Sequence, residues 1–137
     1  MSGLVIDSSV AVKWFFPEPQ ADQARALLRA GMPLVAPDLV IAEASNVAWK
    51  KVRMGQATAM QALDLARGLR AMLEEIVPGE VLSARAVEIA LALNHPVYDA
   101  FYLALAEARD LPLVTADRRL ADRAAGTPWA SLVRPLV

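Results

Sequence analysis

Short apolar segments recur along the chain, and longer amphipathic segments separate them. We expect strands at residues 3–6, 33–36, 75–77 and 111–115, which are too short for helices, and an edge strand at Leu132–Val133. The segments between them have apolar residues at helical spacing. Strands that alternate with helices predict an α/β sandwich with a mostly parallel sheet.

Proline and glycine residues delimit the predicted helices. Gly31 and Gly55 follow two of the amphipathic segments, as expected of residues that end helices. The predicted helices span residues 21–30, 37–53, 56–73, 82–93 and 97–109. Because 137 residues is close to the commonest domain size, we expect one domain over residues 1–137.

Four acidic residues lie at or inside apolar runs, where an unpaired carboxylate is costly to bury. Asp7 and Asp117 each follow a predicted strand, whereas Glu43 and Asp99 lie near the starts of predicted helices. Ligands of parallel sheets bind at the carboxyl ends of strands, where Asp7 and Asp117 are expected. Carboxylate oxygens suit Mg²⁺ and Mn²⁺, and the chain has no cysteine and a single histidine. The sequence therefore predicts an acidic metal site.

Each acid also has an ordinary structural explanation. Asp99 and Asp117 stand where aspartate commonly caps a helix. Glu43 shares a helical stripe with Asn46 and Lys50, as residues of a solvated face do. The apolar neighbours of Glu43 and the coincidence of four such acids favour a shared site over these separate explanations.

Composition narrows the functional classes. Fourteen basic and 15 acidic residues give a formal charge of −1, so no overall basic field attracts nucleic acid. A hydrophobic fraction of 56% predicts that another chain covers part of the surface. No apolar stretch is long enough to span a membrane, and we expect a cytoplasmic protein without membrane association.

Four motifs in order along the chain resemble the PIN-domain nucleases, specifically the VapC-type toxins of prokaryotic toxin–antitoxin systems. The motifs are Val5–Ser9, Pro37–Glu43 with Asn46, Tyr98–Ala106 and Leu113–Asp117, and together they cover nearly the whole chain. The resemblance implies a PIN-like three-layer α/β/α sandwich with a mostly parallel central sheet. It also implies a divalent-metal-dependent endoribonuclease that uses Mg²⁺ or Mn²⁺. One departure is Asp-Ser-Ser at residues 7–9, where Asp-Thr-Ser is frequent.

The resemblance also assigns the site residues. The catalytic, metal-binding acids are Asp7, Glu43, Asp99 and Asp117. We expect Asp7 and Asp99 to bind metal directly, with Glu43 and Asp117 as a second pair that contacts metal directly or through water. Their polar companions, which hold carboxylates or waters in place, are Ser8, Ser9, Asn46 and Thr115.

Expected partners are RNA, a cognate antitoxin protein and a second copy of the chain in a homodimer. The basic residues that we expect to line an RNA path are Lys13, Lys50, Lys51, Arg118 and Arg119. The expected partner surface is the aromatic cluster Trp14, Phe15 and Phe16, because three large side chains in a row cannot all point inward from one helix. A solvated surface and core packing are the respective alternatives. His95 precedes a proline, and we interpret it as a turn residue rather than a general base.

Two other functions fit the same fold. One is a stand-alone RNA-processing nuclease without an antitoxin, and the other is a catalytically inactive PIN-like scaffold. The four retained acids argue against the scaffold. A phosphoacceptor receiver domain and a haloacid-dehalogenase-type phosphatase are disfavoured, because the first strand is followed by Asp7-Ser8-Ser9 rather than by paired acids.

Overall fold

A parallel β-sheet forms the centre of the molecule in the computed structural model, which describes residues 3–137. Over this range five strands lie in the order β3-β2-β1-β4-β5, and every neighbouring pair is parallel. The strands are β1 (Leu4–Ile6), β2 (Leu34–Pro37), β3 (Glu75–Val77), β4 (Leu113–Thr115) and β5 (Val133–Pro135). All five strands were predicted from the sequence, with small differences in their ends.

Seven α-helices connect the strands within residues 3–137. They are α1 (Ser8–Ala11), α2 (Ala21–Arg29), α3 (Leu39–Arg53), α4 (Ala59–Gly68), α5 (Ser83–Leu93), α6 (Val97–Arg109) and α7 (Arg118–Ala124). The predicted helix over residues 56–73 is shorter at both ends. Thr58 and Gln61 form a capping box that fixes the start of α4, and residues Leu69–Met72 continue as a 3₁₀ turn.

Helices cover both faces of the sheet. Every residue of β1, β2 and β4 is buried, although successive side chains of a strand point to opposite faces. Helix α6 packs across β1, β2 and β4, and its pairing with α5 forms the outer part of that layer. The expected three-layer α/β/α sandwich is confirmed.

The strand order places one crevice at the carboxyl edge of the sheet. From β1 the chain first moves to β2 on one side, and later reaches β4 on the other side of β1. Such a reversal leaves a gap beyond the ends of the two strands, where α/β proteins bind ligands. Asp7 follows β1 here, while Thr115 ends β4 and Asp117 lies two residues further.

The aromatic cluster Trp14, Phe15 and Phe16 packs inward, so the partner surface that we expected there is wrong. Trp14 is 7% exposed and donates its indole N–H to the Ala24 carbonyl at 2.9 Å, and Phe16 is 2% exposed. Phe15 is partly buried against the core near Gly68. The expectation assumed one continuous helix, but the chain turns through a 3₁₀ segment at Val12–Trp14 and directs the three rings to different elements.

None of the helices within residues 3–137 has the length and apolar character that a bilayer crossing needs.

Candidate active site

Asp7 occupies the centre of the carboxyl-edge crevice. It follows β1, is 5% exposed, and caps α1 by accepting a hydrogen bond from the Val10 backbone N–H at 3.2 Å. Strand β1 is buried on both faces, so the cap position of the next helix carries a carboxylate into the protein interior. Local helix capping and burial thus together fix this side chain.

Two hydroxyl groups direct their protons at Asp7. Ser9 Oγ donates to Asp7 Oδ1 at 2.6 Å, and Thr115 Oγ1 donates to Asp7 Oδ2. Each hydroxyl also accepts a backbone N–H, from Ala116 at 2.9 Å and from Asp117 at 3.0 Å respectively. Because a hydroxyl has only one proton, these two backbone donors leave it free to point at the carboxylate. The arrangement links β1 to β4 and stabilises ionised Asp7.

Burial nevertheless dominates the titration of Asp7. Desolvation raises the pKa of Asp7 to about 6 from an ordinary value of 3.8, against the opposing hydrogen bonds from Ser9, Thr115 and Val10. The charge of Asp99 adds to the increase. At neutral pH the site therefore contains a buried, ionised carboxylate that would be stabilised by a cation.

Glu43 enters the site from the first turns of α3. The buried Tyr102 of α6 donates its phenolic hydrogen to Glu43 Oε1 at 2.6 Å. Desolvation raises the pKa of Glu43, Asp99 raises it further, and the hydroxyls of Tyr102 and Ser8 oppose the change. Burial, followed by the charge of Glu43, raises the pKa of the Tyr102 phenol well above its ordinary value, which keeps the phenol a donor.

Asp99 lies in the first turn of α6 but does not cap that helix with its side chain. Its Oδ2 is instead 2.6 Å from Nε2 of His95, which lies just before the helix. Asp99 raises the pKa of both Asp7 and Glu43 through its charge. The structure therefore brings Asp7, Glu43 and Asp99 close enough to interact electrostatically.

Asp117 lies at the edge of this group. Its side chain caps α7, with Oδ1 accepting the Arg119 backbone N–H at 2.9 Å. Its own backbone N–H donates to the Thr115 hydroxyl that contacts Asp7. Asp117 is thus joined to Asp7 through Thr115, and its carboxylate has the capping role that the sequence also allowed.

The polar companions differ in their contacts. Ser9 and Thr115 bond Asp7 directly, and Ser8 stabilises the charged form of Glu43. Asn46 is exposed and forms no side-chain hydrogen bond within residues 3–137. Its expected role at the carboxylates thus has no contact to support it.

Comparison with known proteins decides the family. The PIN-domain family model matches residues 4–126. The chain belongs to the PIN-domain family. Over 122 residues this PIN domain is 32% identical to Ribonuclease VapC3 of Pyrobaculum aerophilum, covering 88% of this chain and 93% of the relative. Over 119 residues it is 36% identical to Ribonuclease VapC9 of Mycobacterium tuberculosis, covering 87% and 89%. The resemblance to VapC-type proteins is confirmed.

A solved structure supports the fold. The PIN domain superposes on a chain of a toxin–antitoxin complex from Klebsiella pneumoniae with a TM-score of 0.65 and 22% identity. The match covers 97% of this chain and 96% of that one. The two chains therefore share the fold over nearly their full length.

Two of the five basic residues expected on an RNA path are instead paired with Glu18 of the PIN domain, and the expectation is wrong for them. Lys13 is buried and donates to Glu18 at 3.0 Å and to the Pro19 carbonyl at 2.8 Å. Lys51 pairs with the other oxygen of Glu18 at 2.6 Å and lies over the ring of Phe16. Although burial opposes it, hydrogen bonds from the two lysines hold the pKa of Glu18 below its ordinary value.

The other three basic residues are exposed. Lys50 lies on α3, and Arg118 and Arg119 begin α7 beside Asp117. The Arg119 side chain is 90% exposed, and its Nε makes a long contact of 3.4 Å with Oδ1 of Asp117. These residues stay available for RNA, and their role there remains a prediction.

Sequence reasoning missed two contacts of the acids. Tyr102 lies three residues after Asp99, on the same face of α6, and His95 lies four residues before Asp99. Helical spacing around Asp99 was the available signal for Tyr102. His95 was interpreted as a turn residue because Pro96 follows it, yet its ring contacts the carboxylate.

The donor chemistry of the site fits a hard divalent cation. Asp7, Glu43 and Asp99 have no Lys or Arg ion-pair partner among residues 3–137, and the charge of Asp99 raises the pKa of the other two. Across the same range, no three acidic, histidine or cysteine side chains are already gathered as a metal cluster. Cation binding would therefore draw the three carboxylates together and offset their repulsion.

Proposed function

We propose that this PIN domain, acting as one domain over residues 1–137, is the toxin of a type II toxin–antitoxin pair and an endoribonuclease that requires Mg²⁺ or Mn²⁺. The observation that carries the proposal is the arrangement of Asp7, Glu43 and Asp99 around one crevice, where the charge of Asp99 acts on the other two acids and no Lys or Arg among residues 3–137 pairs with any of the three. Such a group of acids is costly in an empty site and useful around a cation. The VapC ribonucleases named above supply the family context.

The acids divide by position. Asp7 and Asp99 would hold the cation directly, with Glu43 and Asp117 as the second pair. A bound cation would supply charge stabilisation at the phosphate and lower the pKa of a nucleophilic water. Several carboxylates suit this chemistry, because they balance the charge of the cation and leave positions for water and phosphate.

The residues around the acids have separate roles. Ser9 and Thr115 fix the orientation of Asp7, as His95 does for Asp99. Tyr102 donates to Oε1 of Glu43 and Ser8 also hydrogen-bonds this carboxylate, which would accept a proton from water. The raised pKa of Glu43 strengthens it as a base toward that proton.

RNA cleavage by the purified protein tests the activity. We expect cleavage of single-stranded RNA with Mg²⁺ or Mn²⁺ and none with excess chelator. Asp7→Asn and Asp99→Asn should each lower the rate by a factor on the order of 100 or more, because each removes a ligand charge. Asp64→Asn is the matched control, since Asp64 is an exposed carboxylate of α4 with no hydrogen bond or ion pair within residues 3–137. Cleavage that persists in chelator contradicts the metal requirement.

A cognate antitoxin is the second part of the proposal. The solved neighbour from Klebsiella pneumoniae is a toxin–antitoxin complex, and the fold is shared over nearly its full length. We expect an adjacent small reading frame whose product binds this chain and restores growth when the two are co-expressed. Growth arrest by this chain that no neighbouring product relieves would favour a stand-alone nuclease.

Self-association is the third part. Large apolar side chains are exposed on α5, with Val87 at 49% and Leu91 at 77%, which supports a covering second copy. Sedimentation at micromolar concentration should give a dimer, and Leu91→Glu should shift it toward monomer. A wild-type monomer under these conditions contradicts the homodimer.

A further inference from the structure

A pocket opens beside the acidic site on the β5 side of α7. Its volume is about 460 Å³, within the range of small-molecule sites. Thr115 and Asp117 form the wall nearest the active site. Since Thr115 is hydrogen-bonded to Asp7, the pocket begins one side chain away from the carboxylate that we place at the cation.

The walls of the pocket combine apolar side chains with a few polar groups. The apolar part comes from Ala116, Ala121, Pro135 and Val137. Gln20 closes one side: its Nε2 donates to the Leu136 carbonyl at 2.7 Å, and its backbone is held at a φ of 68°. A non-glycine residue at positive φ is strained, and such strain often occurs at binding sites. A lining of mixed apolar and polar groups suits a ligand such as a nucleobase, which has apolar faces and polar edges.

The charges of the pocket argue against a phosphate inside it. Its charged side chains are Asp117, Arg118 and Asp122, two acids against one base. A second groove, of about 500 Å³, is lined by His95, Arg119, Asp122 and Arg123 and is more basic. The groove and the pocket meet at Asp122 of α7; the groove suits phosphates, and the pocket suits an uncharged group with hydrogen-bond donors.

Asp122 and Arg118 are the groups that would select the base. They lie four residues apart on α7, so their side chains are neighbours, yet they form no ion pair with each other within residues 3–137. The Watson–Crick edge of guanine carries two adjacent donors, N1–H and N2–H, next to the acceptor O6. A carboxylate accepts both donors, and a guanidinium donates to O6. Adenine, cytosine and uracil each lack the pair of adjacent donors.

We propose that this pocket binds a guanine base of the RNA strand next to the cleaved phosphodiester, with Asp122 accepting from N1–H and N2–H and Arg118 donating to O6. The inference rests on the proposed ribonuclease function for its substrate. It adds a base preference, a position in the fold and the two residues that set the preference.

Single-stranded RNA that differs at one nucleotide tests the pocket. The probes are ten-nucleotide uridine oligomers with one central guanosine, inosine, adenosine or cytidine. Binding is measured by fluorescence anisotropy in chelator at low salt, and cleavage is measured separately with Mg²⁺ or Mn²⁺. We expect the guanosine oligomer to bind and react about tenfold better than the adenosine oligomer, with inosine between them because it lacks the N2 amino group.

Asp122→Asn should reduce the guanosine-to-adenosine ratio to about twofold, because the amide accepts at only one of its two ends. Asp64→Asn also removes one negative charge but lies outside the pocket, and it should leave the ratio unchanged. Using the ratio rather than the affinity removes the general effect of charge on RNA binding.

The outcomes separate this inference from the proposed function. Equal binding of the guanosine and adenosine oligomers, no binding of any oligomer, or a guanosine preference that Asp122→Asn leaves intact overturns the pocket assignment. Cleavage without a base preference overturns it while the ribonuclease stands. A guanosine preference in binding that depends on Asp122, with no cleavage in either metal, supports the pocket and overturns the ribonuclease.

Discussion

Tyr102 and Glu43 are 59 residues apart in the chain and joined by a hydrogen bond of 2.6 Å from the phenol to the carboxylate. Tyr102 is 1% exposed, so the bond forms at the boundary between the core and the acidic crevice. It connects α6, which supplies Asp99, to α3, which supplies Glu43. The relative positions of two acids therefore depend on one buried hydroxyl.

Tyr102→Phe should weaken catalysis more than folding. The change removes the donor that lowers the pKa of Glu43, so this pKa rises and the acidic limb of the pH–rate profile moves to higher pH. We expect the cleavage rate to fall about tenfold and stability to fall by about 1 kcal/mol. Tyr98→Phe is the control, because Tyr98 lies on the same helix and is 60% exposed. An unshifted profile for Tyr102→Phe would show that the bond does not tune Glu43.

The metal-free protein should lose stability as pH rises through the titration of Asp7. Its pKa in the folded state is raised to about 6 from 3.8, so the folded state holds the proton more tightly than the unfolded state does. The resulting stability is complete below pH 3.8 and is lost as pH rises through about 6. Each unit of pKa difference corresponds to about 1.36 kcal/mol, so the folding free energy lost over the whole titration is about 3 kcal/mol.

Asp7→Asn isolates this effect, because the variant has no carboxylate to titrate there. Denaturant unfolding in chelator at pH 4, 5.5 and 7 should show the variant gaining about 2.4 kcal/mol relative to wild type across that range, which is most of the full effect. Glu43 also makes stability fall as pH rises, because its pKa is raised too, but it is present in both proteins and its effect cancels in the comparison. Parallel pH profiles for the two proteins would contradict the assignment to Asp7.

Much of this fold was predictable because its determinants are local. Buried parallel strands are continuously apolar, and helices begin and end at caps, so the five strands and α6 are evident in the sequence. The direction of Trp14 and Phe16 was not predictable, because it depends on a 3₁₀ turn at Val12–Trp14 that no periodicity reveals. The direction of these side chains depends on contacts with residues that are distant in the sequence.

The site was predictable in composition and less so in contacts. The position of Asp7 follows from its strand, but its hydrogen bond with Thr115 joins residues 108 apart, and only the strand order brings them together. The pairing of both Lys13 and Lys51 with Glu18 likewise depends on tertiary structure, and it occupies two cations that we had expected on an RNA path. The sequence therefore shows which charged residues could bind a metal or RNA, but the fold determines which charged residues pair with each other.

His95→Ala should act through Asp99. The 2.6 Å contact between His95 Nε2 and Asp99 Oδ2 holds the carboxylate in one orientation, and its loss should weaken Mn²⁺ binding about tenfold. Calorimetric Mn²⁺ titration without RNA measures this directly, and His95→Asn should restore part of the affinity because its amide can also donate. Normal Mn²⁺ affinity together with weaker RNA binding would instead show that His95 contacts RNA in the groove that it lines with Arg119 and Arg123.

Arg119→Glu should weaken RNA binding and reduce its dependence on salt. The Arg119 side chain is 90% exposed at the carboxyl edge of the sheet, where its groove also contains Arg123 and His95. Removal of one phosphate contact lowers the slope of log K against log salt by about 1, and we expect affinity at low salt to fall about tenfold.

Arg29→Glu is the matched control for that experiment, because it makes the same change in net charge at the opposite edge. Arg29 is exposed at the end of α2, just before the start of β2, which is the amino edge of the parallel sheet. Arg85 is unsuitable, since it is bonded to Glu107 at 2.6 Å and its reversal would disturb packing. Anisotropy titrations at two salt concentrations decide the matter: equal losses for Arg119→Glu and Arg29→Glu would mean that RNA responds only to net charge and follows no defined path along α7.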